Sequence, residues 1–209
     1  MTSDLSTLAR EAADHLRDGG LVAIPTETQY ALAARAADAA AVARCFALKQ
    51  RPADEPQPIF LPSVAALDDV ADGLSSGLRA LAREVWPGAL TIVLRRRPDW
   101  HSAAVPGDTV ALRIPDHPIA LAVLGAIQEP ITGSSANVHG HPAALSGADV
   151  RRSFGDEVLI LPPGDLVPQG TASTILDCAR AEPRLLREGA IPRSRIEALV
   201  AEHLATTIT

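Results

Sequence analysis

The chain has 209 residues, 47% of them hydrophobic and 21% charged, with a formal net charge of −6. That is the composition of an ordinary soluble globular protein, long enough to bury the core of one domain. The acidic balance counts against broad binding to a phosphate backbone. The apolar runs break well short of the roughly 20 residues that a membrane-spanning helix needs.

Ser3 or Asp4 is expected to cap a first helix with Leu5, Leu8, Ala12 and Leu16 on one face, ended by Gly19-Gly20. The N-terminal stretch carries acids and no apolar core run, so it does not read as a secretory signal, and a cytoplasmic location is expected. "LVAIP" reads as a short buried strand, "TETQYALAARA" follows, and a helix is expected from about Asp38 to Lys49. "PIFLP" is strand-like, and Ser63 opens a helical stretch that runs, with a break near Gly73, to Val85. "ALTIVLRRR" and "TVALRIP" are strands, and proline in the first turn opens a helix from Pro118 to Gln128. "EPITGSS" brings another strand, and Ser146 to Phe154 a helix. "EVLILPP", "ASTILDC" and "PRLLRE" are three successive strands before a final helix from Pro192 to about Leu204. Alternation of strands and helices, with adjoining strands near the end, predicts an α/β fold with a twisted, open, mixed sheet. Residues 1–209 are expected to form a single domain.

Polar clusters recur just past apolar strands: "PTETQY" after "LVAI", "GSSAN" after "PIT", Arg113 after "TVAL" and Arg187 after "RLL". Ligands of open α/β sheets bind beyond the carboxyl ends of strands, so these segments are expected to converge on one pocket. Of 19 basic residues only Lys49 is lysine, and "KQRP" places it beside Arg51. Hydroxyls, amides and guanidinium groups together suit an anionic, polyoxygenated ligand such as a nucleotide. Neither the GxxxxGK[ST] phosphate loop nor GxGxxG is present, so any nucleotide is bound by another architecture. Ser134 or Ser135 with His139 or His141 lacks the GxSxG elbow of a hydrolase. His117, His139 and His141 lack the spacing of a metal site, and Cys45 and Cys178 stand alone as buried thiols. The basic runs at 95–97 and 151–152 read as solvated surface.

Seven blocks occur in a recognisable order: "PTETQYAL", "KQRP", "WPGALTIVL", "VALRIPDHP", "SSANVHGHP", "ASTILDC" and "LLREGAI". In register from position 25 to 191, they resemble the YrdC-like threonylcarbamoyladenylate synthases, in a single-domain, short form. The resemblance implies a twisted open α/β sheet around a concave, positive cavity. It implies a nucleotidyltransferase that joins L-threonine, bicarbonate and ATP into threonylcarbamoyl-AMP and pyrophosphate, with Mg2+ accompanying ATP. The product would pass to separate transferase proteins that modify tRNA, with a weak RNA contact.

By the same resemblance, Lys49 and Arg51 would hold the triphosphate as the catalytic cations. Ser135 and Asn137 would shape the nucleotide site, with Thr109 and Arg187 adding contacts. Thr26 and Ser173 would lie near threonine, and Arg113 would pair with its carboxylate. The chain departs from the family pattern at Ala31, where Gly is frequent, at Glu55, where many members carry Asn, and at Ala89, where Pro is usual. Longer members have a further C-terminal domain, so any lid here is expected from the chain's own loops. Two other functions fit the same blocks: a non-catalytic RNA-binding module, and a carbamoyl-adenylate enzyme with a different acceptor.

Overall fold

The computed structural model describes residues 5–208, so the predicted caps Ser3 and Asp4 lie outside the described residues. Helix α1 (Leu5–Arg17) buries Ala9, Ala12, Ala13 and Leu16, a face of mostly small side chains that lets it lie close against α5 (Pro118–Ile127). Strand β1 (Val22–Pro25) turns through residues 26–29 into β2 (Tyr30–Ala33), its antiparallel partner, with Ile24 opposite Ala31. Helix α2 (Ala39–Lys49) starts where the Asp38 carboxylate accepts the N–H groups of Ala40 and Ala41. It stops at Gln50, whose left-handed φ of 51° reverses the chain between Lys49 and Arg51.

The stretch from Ser63 to Val85 is less helical than its sequence predicts. A 3-10 turn (Val64–Ala66) and a single helical turn, α3 (Leu67–Val70), lead into β4 (Ala71–Asp72), and α4 (Ser76–Val85) begins only after Ser75 caps it. Local propensity yields here to pairing, because β4 hydrogen-bonds antiparallel to β5 (Leu90–Arg96). Helix α6 (Gly147–Phe154) carries a capping box in which Ser146 and Asp149 satisfy each other's backbone N–H. Helix α7 (Arg193–Leu204) packs on α4.

The remaining strands are β3 (Ile59–Phe60), β6 (Thr109–Arg113), β7 (Ile131–Thr132), β8 (Ser134–Ser135), β9 (Leu159–Ile160), β10 (Thr174–Asp177) and β11 (Arg184–Arg187). The fold is mixed α/β with open sheets, but there are two sheets where one was expected. A smaller sheet runs β8-β2-β1-β9, and a larger one runs β11-β10-β5-β6-β3-β7 with β4 beside β5. The cause is local. The stretch "PITGSS" reads as one strand, yet it divides at Gly133, so that β7 pairs with β3 and β8 pairs with β2. A Cβ at Gly133 would lie 2.3 Å from the Phe60 ring, so only glycine lets the backbone cross there.

Alternation then decides what each face of the larger sheet does. Ile92, Leu94, Val110, Leu112 and Leu176 point to the side where Leu81, Ile196, Leu199 and Val200 of the helices complete a core. Each fully buried aliphatic side chain of this kind stabilises by about 1.5–3 kcal/mol relative to exposure. The opposite face carries Thr91, Val93, Thr109, Ala111 and Arg113, which are smaller or polar and leave a hollow against the small sheet. Among the described residues, no helix is long and apolar enough to cross a membrane.

Candidate functional site

The hollow is a cavity of about 440 Å³ between the two sheets. The small sheet contributes Thr26, Thr28, Gln29, Tyr30, Ser134 and Ser135, and the larger sheet's face contributes Thr91, Thr109, Arg113, Ser173 and Arg187. Arg51 enters from the segment after α2. Thus the four predicted segments meet, and seven of the predicted residues (Thr26, Arg51, Thr109, Arg113, Ser135, Ser173 and Arg187) line one cavity.

Thr26 organises the hairpin turn. Its hydroxyl donates to the Gln29 carbonyl at 2.6 Å and accepts the N–H groups of Thr28 and Gln29. Because that proton is committed, the contact of 2.9 Å between the two hydroxyls must have Thr28 donating to Thr26. Thr28 Oγ1 is then left as an acceptor, and it receives both Nη1 and Nη2 of Arg113 at 3.1 Å. Arg113 also donates Nε to the Gly88 carbonyl at 3.0 Å and Nη2 to Glu27 Oε1 at 2.7 Å. Its guanidinium stands 5.8 Å from the centre of the Phe60 ring, and the residue is 5% exposed. Burial pushes its pKa below the ordinary value while Glu27 pulls it back.

On the neighbouring strands, Arg187 donates Nη2 to the Ser173 carbonyl at 2.8 Å and to the Ser173 hydroxyl at 3.2 Å. That hydroxyl lies 3.0 Å from the Thr91 hydroxyl. The Arg187 pKa is lowered, first by burial and then by the positive charge of Arg113. These two guanidinium groups form one cationic half of the cavity.

Lys49 and Asn137, both expected at the nucleotide site, do not join the lining. Lys49 is 1% exposed, and its ammonium donates to the carbonyls of Ser135 and, at 2.8 Å, Asn137. It therefore grips the back of the Ser-Ala-Asn segment, of which Ser135 lines the cavity. The physical reason lies in α2: Lys49 is its last residue, and the reversal at Gln50 sends Arg51 to the opposite side. Burial, with a lesser contribution from nearby Arg51, lowers the Lys49 pKa to about 8, while Cys45 opposes the shift. The Asn137 amide donates to the carbonyls of Val138 and His141 at 2.8 and 2.7 Å and ties the same loop.

Arg51 folds back on its own loop, donating Nε to the Glu55 carbonyl at 3.3 Å and Nη2 to the Pro56 carbonyl at 3.0 Å. The Glu55 carboxylate lies 3.4 Å from its guanidinium and 3.8 Å from His139. Each cationic half thus has one acid: Glu27 on Arg113, and Glu55 on Arg51.

Other chemistries are not assembled. Ser134 donates to Gln57 at 3.0 Å rather than to an imidazole, and buried His117 caps α5 while its Nε2 lies 3.0 Å from the Leu166 carbonyl. Among the described residues, the one group of His, Cys, Asp or Glu with metal-ligand spacing is Glu84, Glu202 and His203, which is no part of the cavity wall. Within "PTETQY" the sequence did not single out Thr28 and Gln29 as lining residues, nor Glu27 as the partner of Arg113, and it missed Thr91 and the apolar wall of Phe60, Val93, Ile175 and Leu186. The signal for the strand residues was present: "TIVL" and "TVALR" alternate small or polar with large apolar residues, as expected of a sheet with one face lining a hollow.

The chain spans about three fifths of the length of the first curated relatives it matches. It is 36% identical over 205 residues to the threonylcarbamoyl-AMP synthase of Bacillus subtilis, covering 96% of this chain and 59% of the relative. It is 39% identical over 194 residues to the threonylcarbamoyl-AMP synthase of Pyrococcus abyssi, covering 92% and 57%. The solved structure of P. abyssi Sua5 complexed with L-threonine superposes with a TM-score of 0.85 at 37% identity, covering 96% of this chain and 58% of that one. The Sua5_yciO_yrdC family model, described as telomere recombination, matches residues 14–189. With an open mixed α/β fold, a cationic hollow between its sheets and this match across most of its length, the chain belongs to the Sua5/YciO/YrdC family.

Proposed function

We propose that the chain is a threonylcarbamoyl-AMP synthase, an enzyme that forms threonylcarbamoyl-AMP and pyrophosphate from L-threonine, bicarbonate and ATP. The observation that carries this reading is the sharing of one cavity by Arg51, Arg113, Arg187 and the hydroxyls of Thr26, Thr109, Ser135 and Ser173. Relatives bearing that enzyme name, and a neighbour complexed with L-threonine, supply the substrate class.

In this reading Arg113 takes the threonine carboxylate, with Thr26 and Ser173 nearby. Arg51 and Ser135 face the triphosphate, and Thr109 and Arg187 complete the nucleotide's surroundings. Lys49 acts from behind the wall, placing a positive charge and holding the Ser135–Asn137 carbonyls at once. The threonine amine attacks the carbon of carbon dioxide derived from bicarbonate and loses a proton. A carbamate oxygen then attacks the α-phosphorus, and pyrophosphate leaves. No side chain need become covalently bound; the protein contributes alignment and neutralisation of charge.

The described cavity wall contains no carboxylate, so it offers no protein ligand set for a divalent cation. Mg2+ in this scheme arrives on the triphosphate oxygens as part of the substrate. The adenylate is labile, and its consumers are separate tRNA-modifying transferases in the cytoplasm. In this reading residues 1–209 form a single YrdC-like domain that carries the adenylation site.

The test is to incubate the purified chain with ATP, Mg2+, bicarbonate and L-threonine, and to measure pyrophosphate together with the mass of the adenylate. Omitting any one of ATP, bicarbonate or threonine should abolish both products. Pyrophosphate release that persists without threonine would remove this assignment.

A further inference from the structure

Glu27 is not part of the cavity wall, yet it holds the cation that is. Its Oε1 accepts Arg113 Nη2 at 2.7 Å, its Oε2 accepts the backbone N–H of Asp116 at 3.1 Å, and its own carbonyl accepts the N–H of Gln169 at 3.0 Å. One residue therefore fastens three segments around Arg113: the hairpin turn, the chain leaving β6, and the loop before β10.

The hydrogen-bond inventory of Arg113 is nearly closed. Of five guanidinium N–H groups, Nε serves Gly88, one on Nη1 serves Thr28, and those on Nη2 serve Thr28 and Glu27. One Nη1 proton remains, on a group that lines the cavity. The Thr28 proton is directed away toward Thr26, so Thr28 can only accept from Arg113. Without Glu27, the guanidinium would keep its Gly88 and Thr28 contacts but lose its charged partner and the brace to Asp116.

Charge points the same way. Arg113 and Arg187 lie within each other's electrostatic reach, and Glu27 cancels one of their two positive charges. A compensated Arg113 suits a monocarboxylate better than a phosphate dianion, and it leaves Arg187 as the uncompensated cation on the nucleotide's side.

We propose that Glu27 is a positioning and specificity-determining residue: it fixes the Arg113 fork and compensates its charge for an amino-acid monocarboxylate. The inference rests on the proposed function and names the residue that makes this end of the site selective for its carboxylate. Glu27→Gln retains size but removes the charge, and it offers one acceptor oxygen where Arg113 and Asp116 use two. Hydrogen bonds to charged groups of this kind are worth enough to change binding about tenfold.

The experiment combines steady-state kinetics with calorimetric titration of L-threonine into the full chain, for the wild type, Glu27→Gln and Glu27→Asp. The expected result for Glu27→Gln is a KM and Kd for L-threonine raised about tenfold, with KM for ATP within about twofold and stronger inhibition by inorganic phosphate against threonine. Glu27→Asp should recover part of the threonine affinity. An unchanged or lower threonine Kd in Glu27→Gln overturns the inference while leaving the proposed function standing, provided that the wild type binds threonine. Parallel loss for both substrates with a lowered Tm also overturns it, because that is the pattern of a merely structural residue. A wild-type chain that binds no L-threonine overturns both readings together.

Discussion

Replacing Lys49 by methionine keeps the length of the side chain and removes an ammonium that is 1% exposed. In the native chain this group titrates at about 8 instead of 10.5, chiefly because burial penalises its charge. Between those values the unfolded chain holds a proton that the folded chain has released, so raising the pH favours the folded state. The gap corresponds to about 3 kcal/mol of destabilisation at neutral pH. About 2 kcal/mol of that is relieved by pH 9.5. Methionine carries no such cost, but it leaves the Ser135 and Asn137 carbonyls without their donor, at about 1–3 kcal/mol each. The two effects oppose each other at pH 7, so Lys49→Met should fold with only a modest loss of stability. Its turnover should nevertheless collapse, because the charge behind the cavity wall is gone. The decisive measurement is denaturant or thermal unfolding of both proteins at pH 7 and pH 9.5. The stability difference, wild type minus variant, should widen by about 2 kcal/mol, roughly 4–8 °C in Tm for a chain of this size. A difference that stays constant across that range would refute the buried-ammonium account.

Two further substitutions probe the wall. Gly133→Ala sets a methyl group 2.3 Å from the ring of buried Phe60, and the overpacking should cost about 1–3 kcal/mol in denaturant unfolding; unaltered stability would mean that the strands part for another reason. Glu55→Gln removes the acid that competes for Arg51 at 3.4 Å, an exposed pair worth up to about 1 kcal/mol, so KM for ATP should fall a few-fold at low salt and less at high salt. An unchanged or increased KM would show that Glu55 does not contest the phosphates.

Much of the architecture was legible because apolar periodicity and caps agree with the final packing. Asp38 before α2, Pro118 in the first turn of α5 and Ser146 before α6 each mark a boundary that the structure keeps. What escaped depended on partners distant in sequence. Residues 71–72 become a strand only because β5 offers an edge, and "PITGSS" divides only because Phe60 occupies the space beside Gly133. The site shows the same limit. Residue types announced a pocket of hydroxyls and guanidinium groups, and the ordered blocks pointed to seven residues of its wall. Nothing in "FALKQRP" reveals that the turn at Gln50 puts Lys49 behind the wall and Arg51 in it. Glu27 was likewise hidden, since one acid in a turn says nothing until Arg113, 86 positions later, arrives beside it.

The junction between the sheets has a mechanical consequence. Beside the cavity they are tied through Thr132 and Ala34, which exchange a backbone bond of 2.8 Å and a hydroxyl contact of 2.9 Å, and through Ala36 and Pro130 at 3.0 Å. A molecule gripped by Ser135 on one sheet and Arg113 on the other would work as a removable staple across this seam. Binding across the seam would restrain the two sheets against each other. Substrate concentration would then set rigidity as well as rate, adding about 2.7 kcal/mol of resistance to unfolding at a hundredfold excess over Kd.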